Sequence, residues 1–442
     1  MIRAFHPPHW NRIRKNLYSG TVFLLCCITL ALSSFSCSKS NCRPDDPSCD
    51  TVSALILARA VQCSYRKSWS KIGSTEGNPD NLQAVTFSSI VEGPDGFLYA
   101  AGEASNGNDA AVVMRSEDGG ANWVTEWVHQ PTLNAGAITQ ILRAPDGSLI
   151  AVGNHNPDGT NTEVFLARKA PGGSFTVTAT YERQDTNVSR ALAAVMSPSG
   201  TIYVSGNAAV PADIAGMLLI SGGNYTSLTP RTLVTDGVNP VLFSAIDPMS
   251  EIDVAVGGFV DSGASQEFTL GLSRSDGSYS SILRNVFSCC LGDPEFHDPT
   301  GLYHLGSGRY LMGLTPGTNL TDVRGTVLDI ASNGSFISTE VDPNPAALTS
   351  FKIHGINQVA SLFVPSGATG TPQINIRTDG EASFRVSFPP NTDGIILNDA
   401  PEESIRLVET HMLSNGDLLL PLPIHNSIVA SEPVWIYRLA CR

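Results

Sequence analysis

A chain of 442 residues that is 42% hydrophobic and only 15% charged, with 40 glycines and 28 prolines, can bury a sizeable core and suits a large all-β domain with many turns. Its 27 basic residues against 41 acidic ones give a formal net charge of −14, which argues against nucleic acid as a partner.

The first 36 residues carry Arg3, Arg12, Arg14 and Lys15 with no acid, then an apolar run from Leu17 to Leu32, then Ser34-Phe35-Ser36-Cys37. That order is a secretory signal. Small residues ending on a cysteine resemble the lipobox of bacterial lipoproteins, and Phe35 in place of the usual small residue resembles its looser spirochaetal version. The resemblance implies a lipid, palmitate included, on Cys37 as the first residue of the mature chain. It also implies attachment to the cell envelope, at the outer membrane. A signal peptide cut elsewhere and an uncleaved membrane anchor are the alternatives. Without residues 1–36 the chain keeps 23 basic residues against 41 acidic ones, a charge of −18.

Residues 37–67 read as a tether followed by a short helix. Ser38 to Asp50 is polar and proline-containing. Asp50 is placed to cap a helix over Thr51 to Gln62 whose Val52, Leu55, Ile56 and Ala60 share a face.

From Ser68 to the C-terminus the chain repeats. A turn followed by an apolar strand occurs seven times: PDGFLYAAG from Pro94, PDGSLIAVG from Pro145, PSGTIYVSG from Pro198, PMSEIDVAVGG from Pro248, GSGRYLMGL from Gly306, NQVASLFVP from Asn357 and SNGDLLLPL from Ser414. A second element follows each: an apolar strand, a glycine turn and an aromatic. Its turn glycines, Gly120, Gly173, Gly223, Gly277, Gly334 and Gly380, stand 46 to 57 residues apart. A period near fifty with two such elements makes about four strands per unit, and a four-stranded sheet with two apolar faces must stack on its neighbours. The expected fold is all-β, a seven-bladed β-propeller over residues 68–442, with a β-helix or two stacked sandwiches as the alternative.

The seventh unit stops after its third strand, Val434 to Leu439, so another segment must supply the fourth. The spare strand is Ser68 to Ile72, with Trp69 in the place held by Trp123, Phe175 and Tyr225 elsewhere. Nine cysteines are present; Cys26 and Cys27 leave with the signal, Cys37 carries lipid and six remain. In an oxidising compartment these form up to three disulfides. The donated strand brings Cys63 toward Cys441, Cys42 then pairs with Cys49, and Cys289 and Cys290 bond to each other or stay free. No cysteine or histidine spacing suits a zinc site.

The pattern Ser116-x-Asp118-x-Gly120-x-x-Trp123 resembles the Asp-box hairpin of sialidase-type and other BNR-repeat propellers. The resemblance implies a structural role: the carboxylate takes turn amides, glycine permits positive φ, and the tryptophan packs between sheets. Sialidase chemistry is not implied, because the Phe/Tyr-Arg-Ile-Pro motif of that family is missing. The repeated Arg115, Arg168, Arg274, Arg377 and Arg438 precede the glycine turns and read as scaffold.

His304, His354 and His411 fall on the strand preceding the turn element in the fifth, sixth and seventh units. They could line the central channel and hold a transition metal, or serve as water-bonded polar residues. The irregular stretch Phe287 to Thr300 carries Asp293, Glu295, His297 and Asp298, which could chelate calcium or zinc; it reads first as a solvated loop stiffened by two prolines and a cystine, and is the candidate if any one loop makes specific contacts. Polar loops such as Glu103 to Asp109 and Asn154 to Thr162 should share one rim. No phosphate loop, nucleophile elbow or metalloprotease motif occurs, and no cofactor is expected. Two functional classes follow: a lipid-anchored propeller that binds a protein or glycan, or a carbohydrate hydrolase or lyase acting at the rim.

Overall fold

Each turn-and-strand element forms the first hairpin of a four-stranded antiparallel sheet, and each glycine-and-aromatic element belongs to the second. The computed structural model describes residues 70–75, 82–105, 109–130, 136–157, 161–183, 188–210, 213–250, 253–261, 266–285, 297–306, 308–316, 326–341, 346–353, 358–365, 373–378, 384–387, 410–423 and 434–440. All fall in the compact unit Arg43–Arg442. The tether, the helix expected over Thr51 to Gln62, Trp69, His354, Gly380 and every cysteine lie outside the described residues.

Strand β1 (Ser70–Ser74) precedes the first sheet, which is β2 (Gln83–Glu92), β3 (Leu98–Ser105), β4 (Asp109–Ser116) and β5 (Val124–His129). The second is β6 (Gly136–Arg143), β7 (Leu149–His155), β8 (Glu163–Lys169) and β9 (Thr176–Tyr181), and the third β10 (Ser189–Met196), β11 (Ile202–Val210), β12 (Asp213–Ser221) and β13 (Thr229–Val234). The fourth holds β14 (Val241–Pro248), β15 (Val254–Asp261), β16 (Gln266–Ser273) and β17 (Tyr279–Asn285), and the fifth β18 (His297–Gly306), β19 (Arg309–Pro316), β20 (Thr326–Ile330) and β21 (Phe336–Val341). The sixth is β22 (Ala346–Ile353), β23 (Gln358–Pro365), β24 (Gln373–Thr378) and β25 (Phe384–Ser387); the seventh uses β26 (His411–Met412), β27 (Leu418–Pro423) and β28 (Val434–Leu439). Strand order within each sheet follows the sequence, except that β1 completes the seventh in the order β26, β27, β28, β1.

The strands are apolar on both faces because the sheets pack face to face. Ala100, Val112 and Met114 of the first sheet meet Leu419, Val434 and Ile436 of the seventh. Their neighbours Tyr99, Ala101, Ala111 and Val113 turn to Ile138, Ile141, Leu149 and Phe165 of the second. The same alternation joins second to third, third to fourth and fourth to fifth. First strands touch one another in succession from β2 through β6, β10, β14 and β18 to β22, and β26 touches β2. This is a seven-bladed propeller, its first strands forming the inner ring.

The up-and-down order puts both hairpin turns of every sheet on one rim and the remaining connections on the other, here the hairpin rim and the loop rim. The described ends of the expected loops 103–109 and 154–162 share the loop rim. Boundaries differ from the sequence reading: β3 keeps Glu103 to Ser105, β4 Asp109 and β7 Asn154 and His155 in strand, and β18 takes in His297 to Thr300 of the stretch expected to be irregular, pairing Asp298 with Thr315.

A β-bulge recurs in the inner strands. In β2 the ladder skips from Phe87 to Ser89, in β6 from Ile138 to Gln140, in β10 from Ala191 to Ala193 and in β14 from Phe243 to Ala245. The extra residue bends the strand and re-aims its side chain. Ser88 Oγ thereby donates to the Ile138 carbonyl of the next sheet at 2.5 Å, and Thr139 Oγ1 to the Ala191 carbonyl at 3.3 Å. Across each bulge stands a glycine of the second strand. A Cβ on Gly102, Gly153, Gly206 or Gly258 would lie 1.8 to 2.2 Å from a first-strand carbonyl oxygen. The glycine that ends each of the first four turn-and-strand elements is kept by this close approach.

Closure follows the expected plan. Within the described residues the donated strand is Ser70–Ser74, which runs two residues past the expected end at Ile72; Ser70 pairs with Arg438 and Ser74 with Trp435. Thr75 N donates to the Val434 carbonyl at 3.0 Å, and Val434 N to Thr75 Oγ1 at 2.9 Å. Lys71 Nζ sits 3.4 Å from the centre of the Trp435 ring.

Candidate functional site

On the hairpin rim, Asp118 accepts hydrogen bonds at Oδ1 from Ala121 N (3.0 Å), Asn122 N (2.9 Å) and Ser116 Oγ (2.8 Å), while Oδ2 takes Asn122 Nδ2 at 2.6 Å. Ser116 Oγ in turn accepts from Gly120 N, and Trp123 Nε1 donates to the Gly120 carbonyl. The Asn122 amide first, with its side chain, Ser116 and Ala121 adding to it against burial, holds the Asp118 carboxyl down to about 2. Gly119 and Gly120 have φ of 73° and 102°. Trp123 is 4% exposed and packs between the first and seventh sheets beside Phe87. In the third sheet the positive φ of the corresponding turn falls on Tyr225 (57°) and not on Gly223.

The hairpin arginines bond acids and turns on this rim. Arg168 reaches Asp146 Oδ2 at 2.8 Å and Ser148 Oγ at 3.1 Å, Arg438 pairs with Asp417, and Arg115 with Glu117 and Glu126. The Arg168–Asp146 and Arg115–Glu117 pairs are partly exposed and worth roughly 0–1 kcal/mol each, whereas Asp417 is buried beneath Arg438.

His304 and His411 stand on the first strands of the fifth and seventh sheets. His304 N donates to Asp247 Oδ2 of the fourth sheet at 2.5 Å, and His411 Nδ1 accepts from Ile90 N of the first at 3.3 Å. The His411 ring therefore faces the seam toward the first sheet. Among the described residues no three or more His, Cys, Asp or Glu side chains are grouped to hold a metal ion.

The loop rim is tied together from the inside. Asn154 mimics a strand across the second seam: its Nδ2 donates to the Ala191 carbonyl at 2.9 Å and its Oδ1 accepts from Ala191 N at 2.6 Å. Gln140 Nε2 donates to Ser89 Oγ at 3.0 Å. Between the fourth sheet and its entry loop, Arg284 bridges Asp236 at 2.5 Å and Glu267. Asp236 is held low, first by the Arg284 hydrogen bond, then by Asn239. Asp146 is also low, the Ser148 and Arg168 contacts outweighing burial, and Asp276 is held low by Ser278.

Sequence reading missed His129, His155 and Glu163. They sit at loop-rim ends of β5, β7 and β8, where His129 Nε2 lies 2.8 Å from His155 Nδ1 and His155 Nε2 lies 3.5 Å from Glu163 Oε2. That last distance suits an ion pair without the geometry of a hydrogen bond. The available signal was positional: each residue follows or precedes a loop-rim connection in adjacent sheets.

No family model and no curated protein matches this chain. Solved structures do. A protein of unknown function from Dyadobacter fermentans is 13% identical over 72% of this chain and 98% of that one, with a TM-score of 0.39. The GH93 α-L-arabinofuranosidase of Fusarium graminearum, solved with arabinobiose, is 11% identical over 84% and 98%, with a TM-score of 0.47. BBS1N in complex with ARL6DN is 10% identical over 84% and 97%, with a TM-score of 0.48. Likenesses this distant assign no activity to this chain.

Proposed function

We propose that this protein is a lipid-anchored propeller of the cell envelope that works by binding, presenting its loop rim to a protein or glycan partner. The observation that carries the reading is the direction of β1. Strand β28 runs from the loop rim to the hairpin rim, and antiparallel β1 enters opposite Arg438, on the hairpin rim. A tether from a lipid on Cys37 would reach the ring there, leaving the loop rim turned away from the membrane. A carbohydrate hydrolase or lyase acting at the rim is the second reading; its general acid would have to be held above the ordinary carboxylate range, a role for which Asp118, Asp146, Asp236 and Asp276, all shifted toward ionisation, are unsuited.

Site-specific photo-crosslinking in intact cells tests the reading. Val238, 83% exposed in the loop-rim connection between β13 and β14, and Glu117, exposed in the Asp118 hairpin, mark the two rims. A crosslinker at position 238 should capture a partner that one at position 117 does not. Capture from position 117 alone would overturn the proposal. Replacing Cys37 by Ala should move the protein from the detergent phase to the aqueous one.

A further inference from the structure

The seam between the first and second sheets ends, at the loop rim, in a row of three titratable side chains. His155 is 6% exposed and stands between His129 and Glu163, meeting each through a different ring nitrogen. The groups therefore form a line and do not converge on a point, an arrangement suited to sharing protons and unsuited to chelation. Aromatic rings fix it in place. Trp127 stacks on His129 with centroids 5.3 Å apart and planes 9° apart, and Phe165 lies 5.2 Å from His129 and 5.1 Å from His155.

A nitrogen–nitrogen contact of 2.8 Å is a hydrogen bond while one ring nitrogen carries a proton and the other does not. With both rings neutral the condition is met. A first added proton is also accommodated: a charged His155 faces the Glu163 carboxylate as an ion pair across 3.5 Å at Nε2 and offers Nδ1–H to His129 Nε2. A second proton, on His129, sets two N–H groups head to head and places two cations in contact. The other charged groups on this seam are Glu126, paired with Lys169 at 2.7 Å and with Arg115 at 3.1 Å, and Glu103, on the face of β3 that Tyr99 and Ala101 turn to the second sheet.

We propose that His129, His155 and Glu163 are an acid-operated latch, holding the loop-rim end of the first seam closed with up to one added proton and releasing it when His129 takes the second. The protonation tendencies agree. Burial first, then the neighbouring His155, lowers His129 from 6.5 to about 4, and burial lowers His155. For a base depressed by folding, the unfolded chain binds more protons. Stability from the neutral row is thus complete above about pH 6.5 and is lost as pH falls toward 4. The latch would let acid alter the rim between the first two sheets, whatever partner that rim binds.

The test is a pH titration of the full-length chain followed by tryptophan fluorescence, since an imidazolium stacked on Trp127 quenches the indole. A fluorescence step near pH 4 with faster amide exchange in β5 and β8 is expected, and His129→Gln should abolish both. An unchanged step in His129→Gln overturns the latch. If that variant does not fold, imidazole NMR of the wild type decides: protonation of His155 before His129 supports the order of events, and the reverse order overturns it.

Discussion

Gly73 lies so close to Gly120 that a Cβ on the former would sit 2.1 Å from the carbonyl oxygen of the latter. Ser74 continues the contact in a parallel bridge with Asn122, so β1 is held by β28 on one side and by the Asp118 hairpin on the other. The hairpin with the full Ser-x-Asp-x-Gly-x-x-Trp pattern is thus the one that also clamps the ring-closing strand. Gly73→Ala forces backbone against backbone, and a loss of about 1–3 kcal/mol is expected from such overpacking. Thermal unfolding reads it out; an unchanged melting temperature would mean that β1 is not clamped there.

Asp118 should matter through its hydrogen bonds more than through its charge. Asp118→Ala removes the acceptor of two turn amides on an exposed hairpin, a loss of about 1 kcal/mol, and it should raise proteolysis at 118–122. The pH sign is opposite to that of the histidines. Because the folded carboxyl is depressed from 3.8 to about 2, its contribution is complete above pH 3.8 and is lost as pH falls toward 2. Wild type and Asp118→Asn should therefore converge in stability at the acid end; a constant gap down to pH 2 would count against this account.

The glycines opposite the bulges give a third prediction. At Gly153 a Cβ would stand 2.2 Å from the Ala137 carbonyl oxygen and 2.8 Å from Phe165. Gly153→Ala should cost about 1–3 kcal/mol as the strand pair is pushed apart. Gly173, where an added Cβ would meet Ala170 O at 3.3 Å and φ is not positive, should tolerate alanine far better. Equal losses at the two positions would remove the bulge as the reason for the first.

The ring was legible because its signals are local and repeated: a turn glycine, an aromatic and an apolar strand recur wherever a hairpin recurs. The missing fourth strand of the last unit could likewise be read from where Val434 to Leu439 falls in the chain. The bulges were not legible. Their extra residues are Ser88, Thr139, Leu192 and Ser244, three hydroxyls and a leucine that any strand can hold, and the glycine opposite each was visible without the carbonyl that demands it. The histidine row was hidden for a related reason. His129 and His155 are 26 residues apart in different sheets, and nothing in either strand announces that the two ends share a seam.

The last prediction concerns a covalent clasp beside the closure. Ser70 pairs with Arg438 and Lys71 with Tyr437; were that antiparallel register to continue past the described residues, residue 67 would stand opposite Cys441. Cys63 stands four residues further along. A Cys63–Cys441 bond therefore requires the chain to double back between 63 and 67, since disulfides demand Cα separations of about 4.4–6.8 Å. The bond would close nearly the whole ring, and the chain-entropy account gives a loop of that size a stabilisation on the order of 5 kcal/mol, less any strain. Non-reducing peptide mapping should recover the peptides of Cys63 and Cys441 as one species, and reduction should lower the melting temperature of the wild type but not of Cys441→Ser. Recovery of Cys63 unpaired, or joined to Cys49, would leave β1 held by its strand pairing and the Asp118 hairpin alone.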